Sequence, residues 1–160
     1  MATTTTGSGP ITRTDAHALT ALDWALLFLR IGLGVVFFAH GAQKVFGWFG
    51  GPGLANTVGF MGHMGIPAPL AYISAFTELL GGLGVLLGVL TRLASLGLAI
   101  NMLVAIFHVH LANGFFADKG GFEYPFTLLM IALALLAAGP GHVAFGDWEP
   151  TWLRRTTVRS

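Results

Sequence analysis

Arg30, His40, Lys44, Glu78, Asn101, His108 and Glu123 stand in or beside stretches of sequence that are otherwise apolar. Arg30 lies within the run LLFLRIGL (26–33) and Glu78 within ISAFTELL (73–80). An unpaired charge in hydrocarbon costs roughly 2.5 to 3.5 kcal/mol on insertion scales, so such residues are expected to be paired or put to use. Their chemistry suits a ligand with two carbonyl oxygens and a need for protons, such as a quinone. His40, Lys44 and His108 would donate hydrogen bonds to the oxygens, with Asn101 and the Arg30 charge beside them. Glu78 and Glu123 would relay the two protons that reduction takes up. The chain has no cysteine, so it has no disulfide, thiolate metal site or thiol redox centre of its own. It carries no flavin or dinucleotide motif either, which leaves a substrate or a redox partner protein as the source of electrons.

The elements that must position these residues follow from composition. Hydrophobic residues make up 54% of the 160 and charged residues 9%, where a soluble domain carries about 25% charge. This composition implies a membrane protein, and a net charge of +1 gives no reason to expect nucleic acid. Hydropathy windows place spans at 23–44, 69–90, 92–112 and 122–138, an all-α antiparallel bundle of four transmembrane helices over residues 21–146. Residues 1–20, with the Thr/Gly/Ser tract from Thr3 to Gly9, read as a disordered tail. Residues 147–160, with Trp148, Trp152 and their neighbouring arginines, read as an interfacial tail.

Arg30 with the apolar run after it imitates a signal peptide, but the apolar residues 25–29 upstream argue against cleavage. Arg13, Arg92, Arg154, Arg155 and Arg159 fall on one side and only Lys44 and Lys119 on the other. The positive-inside rule then puts both termini in the cytoplasm. In the outer connection 47–68, Leu54, Val58, Met61 and Met64 recur at helical spacing, which predicts a short interfacial helix carrying His63. Almost no loop separates the second and third spans, so these form a hairpin.

At 100° per residue Lys44 falls about 40° and His40 about 80° from Arg30, so the three share one face of the first helix with Gly34, Phe37 and Gly41. The Glu78 face carries Ala71, Ser74 and Gly82. Asn101 and His108 are about 20° apart, while His110 points opposite, which makes His108 the inward histidine. The expectation is one outward-opening polar pocket, floored by an Arg30–Glu78 pair and walled by His40, Lys44, His108 and Glu123.

The segments Leu29-Arg30-Ile31-Gly32-Leu33-Gly34, His40-Gly41-Ala42-Gln43-Lys44, Glu78-Leu79-Leu80-Gly81-Gly82, Gly121-Phe122-Glu123-Tyr124 and Gly139-Pro140-Gly141 resemble, in order and spacing, those of the DoxX family of small four-helix bacterial membrane proteins. The resemblance covers nearly everything between the tails. It implies an inner-membrane protein, some relatives being subunits of thiosulfate:quinone oxidoreductase and others being linked to oxidoreductase complexes that handle thiol and oxidative stress. A quinone-linked redox subunit is the leading reading. The alternative is a non-catalytic scaffold or anchor, open to homo-oligomer formation, whose ion pairs only fix helix register. Haem or metal binding by His40 and His108, on helices expected to be diagonal, and small-solute carriage stay open.

Overall fold

The computed structural model describes residues 19–146. The Thr3 to Gly9 tract, Trp148 and Trp152 lie outside the described residues. Within them the fold is all-helical, without a strand.

Helix α1 (Ala21–Phe46) starts where Thr20 caps it: the Thr20 hydroxyl accepts from the Asp23 N–H, and the Asp23 carboxylate accepts from the Thr20 N–H at 2.9 Å. This reciprocal box satisfies donors that the first turn would leave unpaired. The helix ends at Gly47, whose left-handed backbone (φ 72°) turns its N–H onto the carbonyls of Ala42 and Gln43. Helix α2 (Gly53–His63) is the short helix expected in the connection 47–68. It lies across α1 and α3 and closes what we term the lid end of the bundle.

Helix α3 (Ala68–Leu87) begins after Pro67, with Pro69 in its first turn where no amide partner is lost. Gly88, again left-handed, stops it. Only Gly88, Val89 and Leu90 separate α3 from α4 (Thr91–Ala105), so the two form the expected hairpin. The α4 helix widens into a π-turn at Ile106–His110 and tightens into a 3-10 turn at Leu111–Asn113. After a loop, α5 (Glu123–Ala138) returns toward the start of α1, and residues 139–146 form a strap beneath that terminal end.

Packing runs α1 on α3, α3 on α4, α4 on α5 and α5 on α1, which leaves α1 and α4 diagonal. The closest approach is glycine-mediated and reciprocal. A Cβ on Gly41 would strike the Glu78–Leu79 backbone of α3, and one on Gly82 would strike the Phe37–Phe38 backbone of α1. Small residues let the two backbones touch where no side chain could fit between them. Leu33, Phe37, Val85, Leu98, Ala132 and Leu135 fill the core beside this seam.

Among the described residues three helical stretches, Ala21–Phe46, Ala68–Leu87 and Thr91–Asn113, are long and apolar enough to cross a membrane. No more than 39% of any of the three is buried within the protein, and Phe28, Ile73, Leu80 and Ile100 are among the large apolar side chains left outside. Surface of this kind suits hydrocarbon and not water. Helix α5 is shorter, at 16 residues.

Candidate functional site

Polar side chains gather at both ends of the bundle, and the two clusters do different things. At the terminal end Arg30, 2% exposed, donates only to carbonyl oxygens. Its Nε reaches Val85 at 2.9 Å and one Nη reaches Leu86 at 3.0 Å, while the other Nη reaches Pro140 at 3.1 Å and also Val143. Val85 and Leu86 belong to the last turn of α3, where carbonyls lack the regular i+4 partner, Val85 accepting instead from the capping Gly88 N–H at 3.2 Å, and where the macrodipole is negative. The guanidinium therefore caps α3 from a neighbouring helix and ties the strap to it. A Cβ on Gly88 would fall on this guanidinium.

Asp23 holds the same strap from the other side, accepting from the His142 backbone N–H at 3.1 Å and lying 2.8 Å from its Nδ1. Arg92 does for α5 what Arg30 does for α3, donating to Leu136 and Ala138 carbonyls at 3.3 and 3.1 Å.

At the lid end a cavity of about 860 Å³ opens between α1, α2, α3, the end of α4 and the start of α5. Its wall is mostly apolar, including Val36, Phe37, Phe60, Met61, Met102 and Leu128. Lys44 and Glu78 line it and form an ion pair at 2.6 Å, with side chains 29% and 5% exposed. The Gly41 contact explains the pairing. It brings α3 against α1 at Glu78 and Leu79, and Lys44 stands one turn above Gly41. One oxygen of Glu78, Oε2, is buried with no hydrogen-bond partner.

Asn101 lines the same cavity and donates to the Ser74 carbonyl at 3.0 Å. His110 lines it with Nδ1 2.7 Å from the Gly120 carbonyl. The Thr57 hydroxyl donates to the Gly53 carbonyl at 2.9 Å or the Lys44 carbonyl at 3.3 Å, which fastens the lid helix to α1. His40 is exposed and sits on the rim, as does Tyr124.

Several expectations from sequence need correction. Arg30 does not pair with Glu78 and does not floor the cavity. Side chains on a helix lean toward its N-terminus, and because α1 and α3 are antiparallel, Arg30 leans toward the terminal end while Glu78 leans toward the lid. The two point apart, each to a nearer partner. His108 is not the inward histidine: it is exposed and off the cavity, while His110 lines it. The π-turn adds a residue and swings the side chains after it by about 100° from their regular α positions. His40 and His108 therefore do not face each other across the bundle, which removes the geometric basis for a haem or metal held by that pair. Among the described residues no group of three His, Cys, Asp or Glu could hold a metal ion. Glu123 lies outside the cavity, where its Oε2 accepts from the Ala117 N–H at 3.0 Å and braces the loop before α5.

Sequence reasoning thus brings His40, Lys44, Glu78 and Asn101 to one cavity, and misses His110 there and the Asp23–His142 tie at the other end. The capping pattern Thr20-x-x-Asp23 was a readable signal for Asp23. Nothing in the sequence marks the π-turn.

The model of the DoxX family matches residues 25–111. A Bacillus subtilis (strain 168) protein named "Putative oxidoreductase CatD" is 33% identical over 118 residues, covering 74% of this chain and 81% of that one. Two Haemophilus influenzae proteins, both named "Uncharacterized protein", are 28% and 29% identical over 126 and 123 residues, covering 76% and 75% of this chain and 88% and 80% of theirs. No solved structure matches at a significant level.

Proposed function

Because the chain belongs to the DoxX family, we propose that it is a membrane subunit of an oxidoreductase system whose lid-end cavity receives a quinone headgroup. The observation that carries this reading is the Lys44–Glu78 pair set in the wall of an otherwise apolar cavity of about 860 Å³. Small-molecule pockets span about 300 to 1,000 Å³ and combine apolar walls with a few convergent polar groups. A quinone when bound supplies a two-electron, two-proton carrier that the protein's side chains lack. Lys44 keeps ammonium hydrogens beyond the one on Glu78, and Asn101 keeps one amide hydrogen beyond Ser74, so both can donate to a carbonyl oxygen. His40 on the rim would meet the ligand as it enters. The relative named as an oxidoreductase supports redox work in general, with the donor of electrons left to a partner or substrate.

The same proposal includes topology. Helix α5 spans about 24 Å at 1.5 Å per residue, somewhat less than the roughly 30 Å of hydrocarbon. Such a mismatch is met by local thinning or by flanking residues. It carries the chain from the lid end to the strap held by Asp23 and Arg30, which supports its being a fourth span. In the sequence Arg13, Arg92, Arg154, Arg155 and Arg159 belong to the terminal side and only Lys44 and Lys119 to the lid side, so the positive-inside rule favours cytoplasmic termini for a protein of the bacterial inner membrane.

The test is extraction of lipids from detergent-purified protein, with quinones identified by mass spectrometry. Quinone is expected to accompany the wild type and to be lost from His40→Ala while the melting temperature holds. Absence of quinone from the wild type, in membranes that contain it, would favour the scaffold reading.

A further inference from the structure

Resting on the quinone reading, the geometry points to the hydroquinone as the form of the couple that the cavity holds more tightly. The partners already made by the cavity's polar groups carry the argument. Lys44 has placed one hydrogen on Glu78 Oε1, and Asn101 has placed one on Ser74. The acceptors are less well served. Glu78 Oε2 is buried with no partner, on a side chain 5% exposed that forms part of the cavity wall. The last torsion of a glutamate is broad, so a small rotation lets Oε2 meet a donor seated against that wall.

His110 supplies a second acceptor. Its Nδ1 lies 2.7 Å from the Gly120 carbonyl, and a carbonyl oxygen can only accept. The Nδ1 atom therefore carries the hydrogen, and in the neutral ring Nε2 is left with a lone pair. The π-turn brings this ring to the cavity in place of His108. A quinone carbonyl can accept from Lys44 but offers nothing to Glu78 Oε2 or His110 Nε2. A hydroquinone hydroxyl accepts and donates at once, so it can meet Lys44 and Glu78 together. An unpaired buried acceptor carries its full desolvation cost, and a hydrogen bond to a charged group is among the stronger ones.

The experiment titrates the purified full-length protein, without oxygen, with 2,3-dimethoxy-5-methyl-1,4-benzoquinone and separately with its hydroquinone, both water-soluble. Binding is read by quenching of tryptophan fluorescence. The chain has no thiol for the quinone to alkylate. The hydroquinone is expected to bind about tenfold more tightly, the value of one well-placed charged hydrogen bond. His110→Phe, which leaves the ion pair intact, and Glu78→Gln, where it folds, should each bring the ratio of affinities toward one. Equal or tighter binding of the quinone to the wild type overturns this inference and leaves the quinone reading standing. An unchanged ratio in folded His110→Phe and Glu78→Gln overturns it as well. Binding of neither form overturns both.

Discussion

Arg30 keeps its charge among carbonyl oxygens, whereas Lys44 and Glu78 keep theirs in each other, and this difference fixes what substitution does. Arg30→Lys cannot reproduce a planar fork that serves four carbonyls on two segments. It should lower stability nearly as much as Arg30→Gln, by about 3 kcal/mol, measured by thermal or denaturant unfolding in detergent. Lys44→Gln leaves Glu78 buried and unpaired and should cost a similar amount. In double-mutant cycles with Glu78→Gln, Lys44→Gln should show a coupling of at least about 1 kcal/mol and Arg30→Gln should be additive within about 0.5 kcal/mol. The reverse pattern would show that the Lys44–Glu78 contact does not hold in the folded protein. The sequence made these residues conspicuous, since a charge in an apolar run is visible at once. Their partners were not legible from helical phase alone, which gives the face of a side chain and says nothing about which way along the axis it leans.

At the scale of elements, the seam between α1 and α3 sets the site by letting two backbones touch. Gly41→Ala and Gly82→Ala each place a methyl group against backbone that cannot rotate away, and each should destabilise by about 2 to 3 kcal/mol. Gly59→Ala in α2 has open space around it and a helical backbone. It should be neutral or stabilising by up to about 1 kcal/mol. Unfolding curves on the three variants check the contrast, and a harmless Gly41→Ala would contradict the backbone contact. Helix positions were read from hydropathy to within a few residues, and the lid helix from its 3–4 spacing, because both signals are local. The π-turn was not, because Ile106–His110 has nothing in its composition that distinguishes it from regular helix, and only its packing selects the wider turn. That single insertion is why the histidine assignment was reversed.

For the molecule as a whole, the two ends should be distinguishable from outside the cell. The chain has no cysteine, so Gly62→Cys at the lid and Phe145→Cys on the strap, both at exposed positions, each give a single thiol. An impermeant maleimide on intact cells should label the first and not the second, and the opposite result would invert the proposed orientation. The strap held by Arg30 and Asp23 also has a bearing on biogenesis. When α1 leaves the ribosome and enters the bilayer, its arginine has none of its four acceptors; two arrive with the end of α3, and two only after residues 140–143 have been made. A nascent chain cut short within α5 would thus carry a half-satisfied guanidinium in a membrane helix, a mark by which a quality-control protease could tell an unfinished protein from a finished one.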